Sequence, residues 1–240
     1  MVNLSQSIFK AYDIRGIVGK TLDIGVARQI GQAFGTAARI KGEQTVVIGR
    51  DGRLSGPDLS TALAAGLQRA GINVIDLGVV ATPMVYFATH VLDAQSGIMV
   101  TGSHNPPDYN GFKMVLAGEA IHGDAIQSLY QTIVKGDFAQ GGGSYRTHDI
   151  RQAYLERITS DVKVSRKMKI AVDCGNGVAG AFAPELYQAM GCEVVELFCE
   201  VDGNFPNHHP DPAHPENLQD LIRCLRETDA EIGLAFDGDG

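Results

Sequence analysis

Apolar positions along this chain follow two patterns, a helical recurrence every three or four residues and short unbroken runs. Ala27, Ile30, Gly31, Phe34 and Ala38 recur at helical spacing and predict a first helix over about 24–41. A strand follows at 45–48, and Gly49-Arg50-Asp51-Gly52-Arg53 reads as a turn in which Arg50 and Arg53 are local ion-pair partners. Ser55-Gly56-Pro57-Asp58 has the form of a helix start with proline in the first turn. Leu59, Leu63, Leu67 and Ala70 make the buried stripe of that helix, and Gly71 ends it. Residues 72–77 predict the next strand, and a helix from about Pro83 leads to a further strand at 97–100. The chain resumes as an apolar run at 112–116, and Ile126, Leu129, Tyr130 and Ile133 mark another helix. The opening, 8–18, is mixed and carries Lys10, Tyr12, Asp13, Arg15 and Gly16 in no regular pattern.

Composition shifts at 136–144, which contains Gly141-Gly142-Gly143 and is the best boundary candidate. Beyond it, Ile150, Tyr154, Ile158 and Val162 recur every fourth residue and predict a connecting helix. A second series comes next: strands at 168–172, 192–198 and 231–236, helices at 184–190 and 218–225, and a proline-rich loop at 202–215. Strands alternating with amphipathic helices predict an α/β fold with mixed, mostly parallel sheets, in two consecutive αβ-layered domains at 1–147 and 148–240. The chain closes on Asp237-Gly238-Asp239-Gly240 directly after a buried strand. Such a loop normally feeds another element, so the second domain is expected to be incomplete and the chain to be part of a longer protein.

Hydrophobic residues make up 44% and charged residues 20%, an ordinary globular balance that leaves no room for extended disorder. The net charge of −8 argues against nucleic acid or an anionic membrane as partner. If the ligand is an anion, local cations must overcome that field. The most apolar span, 77–92, is shorter than a membrane crossing and contains Pro83. The first twenty residues lack the apolar core of a signal peptide. Cysteines 174, 192, 199 and 224 form neither a CxxC pair nor a zinc spacing, so free thiols in a reducing, cytoplasmic compartment are expected.

The chemistry gathers around 97–113. A buried strand stops at Thr101-Gly102-Ser103-His104-Asn105, and two prolines, Pro106 and Pro107, stiffen the rest of the loop. Asn110-Gly111 is expected to close the loop as a turn. Ser103 therefore lies just past a strand end, where α/β proteins place their chemistry. His104 is its neighbour and points the other way in an extended chain, so the two form no nucleophile–base dyad. Arg15 and Lys113 are the cations to place near Ser103. Asp237 and Asp239 put two carboxylates on one side of a short loop, a donor set suited to Mg²⁺ that leaves room for water and a phosphate oxygen.

Other motifs are less telling. Gly175-Asn176-Gly177-Val178-Ala179-Gly180 has the G-x-G-x-x-G spelling, with Glu196 about twenty residues on. Asp173 precedes it, however, and would repel a pyrophosphate, so a tight structural turn is expected there instead. His208, His209 and His214 lie with Asp211 and Glu216 in a loop whose prolines disfavour a shared metal, and a surface or interdomain loop is expected.

Four segments together carry a resemblance: 10–16 (KAYDIRG), 101–106 (TGSHNP), 110–113 (NGFK) and 236–240 (FDGDG). In order and spacing they resemble the α-D-phosphohexomutase superfamily, and 202–211 (DGNFPNHHPD) resembles its bacterial phosphomannomutase/phosphoglucomutase branch. The resemblance implies domains 1 and 2 of that fold. It makes Ser103 the residue that carries the shuttling phosphoryl group, with Asp237, Asp239 and an oxygen of phosphorylated Ser103 as Mg²⁺ ligands. Lys113 becomes general base and acid, Arg15 the arginine facing the phosphoserine, Tyr12 a residue of the substrate mouth, and His104 a further member of the catalytic set. Hexose 1,6-bisphosphate is implied as intermediate and activator, and small sugar phosphates as ligands of a monomer. The third metal aspartate and the domains that grip the sugar would lie beyond Gly240, so little or no turnover is expected of these 240 residues. A phosphatase using Asp237 as nucleophile, and a non-catalytic sugar-phosphate binding module, remain as alternatives.

Overall fold

The structure is a computed structural model and describes residues 4–240. Its first unit contains strands β1 (Ile14–Ile17), β2 (Thr45–Arg50), β3 (Asn73–Val79), β4 (Gly97–Val100), β5 (Tyr109–Leu116), β6 (Glu119–Ala120) and β7 (Tyr145–Thr147). Helices α1 (Ile24–Ile40), α2 (Gly56–Arg69), α3 (Thr82–Val91) and α4 (Asp124–Lys135) lie between them. The second unit contains α5 (Arg151–Asp161), β8 (Lys169–Asp173), α6 (Ala183–Ala189), β9 (Glu193–Leu197), α7 (Gln219–Glu227) and β10 (Ile232–Ala235).

The first sheet runs β1-β5-β4-β2-β3-β7, with β6 hairpinned onto β5. β4, β2, β3 and β7 are parallel, while β1, β5 and β6 run antiparallel to their neighbours. The second sheet, β10-β8-β9, is parallel throughout. The α/β class with mixed, mostly parallel sheets is thus the observed fold.

Alternation along the central strands separates two cores. Val46, Ile48, Ile98, Val100, Phe112 and Met114 face α1, α2 and α4. Val47, Ile75 and Met99 face the other way, into a second core that also holds Met84 and Val85 of α3, Ile170 and Val172 of β8, and Phe182. That second core runs without a break from the first sheet to the second unit. Period-two patterning of buried strands is what makes this possible, since each central strand feeds both faces.

The elements agree with the hydrophobic pattern except near the sheet edges. The opening is not irregular: residues 14–17 form β1, paired antiparallel with β5. Asn110-Gly111 is not a turn but part of β5, with Asn110 opposite Gly16 and Gly111 opposite Arg15. A Cβ on Gly111 would lie 2.0 Å from the Ile14 carbonyl oxygen, so this glycine serves close strand approach. The Asn110 side chain donates to Ser55 Oγ at 2.9 Å, and Ser55 makes no capping bond to α2. The glycine-rich stretch near 141–143 is packed against the chain at 70–73 and leads into β7 on the edge of the first sheet.

Candidate active site

Four pieces of chain meet at Ser103: the loop after β4, strand β5, the first turn of α3, and the loop after β10. Ser103 is buried and holds a left-handed backbone, φ +51°. Its N–H donates to Thr101 Oγ1 at 2.7 Å, and its hydroxyl donates to Asp237 Oδ2 at 2.9 Å. Lys113, opposite Met99 in the β4–β5 ladder, projects from the same face as Met99. Its ammonium lies 3.4 Å from Ser103 Oγ and 2.7 Å from Asp239 Oδ2. Asp239 also accepts from the Thr82 hydroxyl, and the Thr82 N–H donates to the Asp239 carbonyl at 3.0 Å. Serine, lysine and both carboxylates, read from distant parts of the chain, therefore converge.

The two carboxylates are held differently. Burial pushes the Asp237 carboxyl above the usual carboxylate range, and the neighbouring Asp239 charge pushes it the same way. Asp239 is more deeply buried, which opposes its ionisation, but the Lys113 ammonium and the Lys113 and Thr82 hydrogen bonds outweigh that. It stays below the ordinary range. Asp239 is the fixed anion of the pair, and Asp237 the carboxylate in contact with the serine oxygen.

Arg15 reaches the serine loop indirectly. Its guanidinium donates to the Asn105 side chain and to Asp13, while its Nε is buried without a partner. No hydrogen bond joins it to Ser103 among the described residues. The His104 side chain is exposed, and its carbonyl accepts from His209 Nε2. Tyr12 is 81% exposed with its ring near His122, and no described contact brings it to Ser103.

Two participants carry no sequence signal of their own. Thr82 is a helix-start threonine like many others. Arg53, an ion-pair partner of Asp51 at 3.2 Å as expected, is fully buried beneath the serine loop. Only the carbonyls of a loop some fifty residues later could have marked it.

The remaining motifs take structural places. A Cβ on Gly180 would lie 2.0 Å from the Cys199 carbonyl oxygen, and one on Gly177 2.9 Å from the Asp237 carbonyl oxygen. The chain itself thus occupies the space a pyrophosphate would need. Asp173 accepts from Gly175 N–H at 2.9 Å and pairs with His208 at 3.0 Å. The histidine loop lies between the units, with His209 bonded to the serine loop.

Oxygen donors from Asp237, Asp239 and Ser103 form a hard, anionic set that fits Mg²⁺ by type. Among the described residues no cluster of three His, Cys, Asp or Glu could hold a metal unaided. A phosphate oxygen or water would have to complete the coordination.

Family models match in two stretches: phosphoglucomutase/phosphomannomutase α/β/α domain I over 6–140, and domain II over 152–240. The chain belongs to the phosphoglucomutase/phosphomannomutase family. It is 55% identical over 237 residues to a Pseudomonas aeruginosa protein named phosphomannomutase/phosphoglucomutase, covering 99% of this chain and 51% of the relative. It is 56% identical over 241 residues to a Neisseria meningitidis phosphoglucomutase, covering 100% of this chain and 52% of that one. A crystal structure of a phosphoglucomutase/phosphomannomutase family protein from Burkholderia thailandensis superposes with a TM-score of 0.97 at 62% identity, over 99% of this chain and 54% of that one. The chain spans about half the length of the curated relatives it matches. No described helix is long and apolar enough to cross a membrane.

Proposed function

We propose that this chain is the phosphoserine-bearing and metal-loop part of a phosphohexose mutase. The enzyme interconverts the 1- and 6-phosphates of a hexose, mannose or glucose, through a hexose 1,6-bisphosphate. One observation carries the reading: Ser103 Oγ lies within reach of both Asp237, at 2.9 Å, and Lys113, at 3.4 Å. A hydroxyl so placed can pass a phosphoryl group, with a proton carrier and a carboxylate able to hold a cation beside it.

In the first half-reaction, phosphorylated Ser103 gives its PO₃ to the free hydroxyl of a bound hexose phosphate. The bond from serine oxygen to phosphorus breaks as the sugar oxygen bonds to phosphorus; the Lys113 ammonium gives a proton to the leaving serine oxygen and takes in its place the one the sugar hydroxyl releases. The sugar then reverses, and its other phosphate returns to Ser103. Phosphoserine adds about −1.5 to −2 charges beside Asp237 and Asp239, and among the described residues only Lys113 is in direct contact to offset them. Mg²⁺ held by Asp237, Asp239 and the Ser103 oxygen would supply the missing positive charge for the leaving oxygen. Arg15 supports the loop through Asn105 and lies on the phosphate side, while Tyr12 and His104 line the approach for substrate. The domains divide at 147/148, and the protein is a cytoplasmic monomer whose sugar-gripping parts lie outside these residues.

The 240-residue chain, incubated with glucose 1,6-bisphosphate and Mg²⁺, should gain one acid-stable phosphate on the Ser103 peptide. The Ser103→Ala chain should gain none, and neither should turn over hexose 1-phosphate appreciably. Near-normal turnover would overturn the expected inactivity of this part. An acid-labile phosphate on Asp237 would establish a phosphatase instead. Sugar-phosphate binding without any incorporation would leave a binding module.

A further inference from the structure

Beneath the serine loop lies a buried ion pair that takes no part in the chemistry above. Arg53 and Asp51 are each 1% exposed. Arg53 Nε donates to Asp51 Oδ2 at 3.2 Å. Its Nη1 donates to the carbonyls of Pro106 at 2.5 Å and Tyr109 at 3.0 Å. Its Nη2 donates to those of Ser103 at 2.7 Å and Asn105 at 2.6 Å. A guanidinium has five N–H groups, and all are engaged. None is left for a phosphate, so Arg53 cannot act on the transferring group directly.

Asp51 grips the same loop from its other end. Its Oδ2 accepts from Thr101 Oγ1 at 2.7 Å and from Gly102 N–H at 3.3 Å, and Thr101 Oγ1 in turn accepts from Ser103 N–H. Both peptide groups of Ser103 are therefore held, the N–H through Thr101 and Asp51, the carbonyl by Arg53. Gly102 leaves the space the guanidinium needs, since a Cβ there would lie 2.4 Å from Arg53 Cζ. Phe205 of the second unit packs at 5.3 Å from the guanidinium carbon, and Gly203 lies against the backbone of residues 52–54.

From this geometry we propose that the Asp51–Arg53 pair is the positioning device for phosphoryl transfer at Ser103. It fixes a left-handed serine so that Oγ keeps one direction while the charge on it changes by about two units. The proposal rests on the mutase reading above. Carbonyl groups of three loop residues and of Tyr109 at the start of β5 converge on one planar cation, which lysine, with three donors on a flexible stem, cannot reproduce.

The test is Arg53→Lys in the complete enzyme that the mutase reading implies, with rates expressed per folded molecule. The expected result is a kcat lower by about 10²-fold, the scale of a misplacement near 1 Å, with KM held within about threefold. Amides of 103–105 and 108–109 should exchange at least about tenfold faster, while those of β2 and β4 do not change. A purely structural role would lower the folded fraction and leave kcat per folded molecule as it was, and that result overturns the proposal. So does a KM that rises by the factor kcat falls. If Arg53→Lys does not fold, Thr101→Val cuts the other arm, and an unchanged kcat there also overturns it. If the unsubstituted enzyme shows no turnover, the mutase reading fails by itself. Amide exchange at 103–105 and 108–109 in Arg53→Lys then decides the clamp alone, faster exchange upholding it and unchanged exchange ending it.

Discussion

Ser103 holds φ at +51° without being glycine, a conformation costing about 1–3 kcal/mol for a residue with a Cβ. Its neighbours compel it: N–H to Thr101, carbonyl to Arg53, hydroxyl to Asp237. Ser103→Ala and Ser103→Gly lose the same hydroxyl, so their difference isolates the backbone term. Glycine relieves the strain but frees the unfolded chain, an opposing effect of about 0.4–1 kcal/mol. The glycine variant should be the more stable by about 0.5–1 kcal/mol in urea denaturation. An alanine variant of equal stability would hold the strain at Ser103 to about 0.4–1 kcal/mol, and one more stable than glycine by that amount would mean that the loop carries none. The serine, both aspartates and Lys113 were legible because each sits at a recognisable strand end or on the apolar strand that returns from the serine loop. Arg53 was not. A charged residue in a turn is normally solvated, and its burial depends on carbonyls brought by a loop that lies far along the chain.

At the scale of elements, the long helices and central strands follow from hydrophobic period, and the edges do not. β7 has three residues, all exposed, so no alternation marks it; backbone pairing to β3 creates it. Asn110-Gly111 reads as a turn locally, and only the approach of β1 turns it into strand. β7 is further tied down by the Tyr145 hydroxyl, which donates to Asp76 Oδ2 at 2.7 Å. Desolvation, then the Asp76 hydrogen bond and charge, push the Tyr145 phenol up to about 12 from 10.0. A raised folded value means the neutral phenol is the stabilising form. The contribution is fully present below pH 10, and it is lost as pH rises through about 12. Tyr145 is half exposed, and solvent screening keeps the bond's worth under about 1 kcal/mol. Tyr145→Phe should therefore be slightly less stable than the parent at pH 8, and the gap should narrow above pH 10. A late-titrating phenol should also vanish from the ultraviolet titration. A gap that widened with pH would reverse the sign and refute the assignment.

Across the whole molecule, one hydrophobic core spans the two units and one polar site lies over it, so packing and chemistry share a seam. Ala81 and Met84 at the start of α3 and Val178 and Phe182 ahead of α6 belong to that core, and the Asp237–Gly238–Asp239 loop crosses above them. Gly238 is the tightest point of the crossing. A Cβ there would meet the Ser103 carbonyl oxygen at 2.4 Å, and its own carbonyl accepts from Val178 N–H at 3.3 Å. Backbone on both sides leaves nothing flexible to yield, so Gly238→Ala must part the serine loop from the carboxylate loop. Gly142, where a Cβ meets nothing within 4 Å, is the matched control. Gly238→Ala should cost about 1–3 kcal/mol, keep its far-ultraviolet circular dichroism, and lose phosphate incorporation at Ser103. Gly142→Ala should stay within about 0.5 kcal/mol of the parent and label normally. If Gly238→Ala labelled at the parental rate, contact between the two loops would not be what makes Ser103 competent. The seam would then serve stability alone.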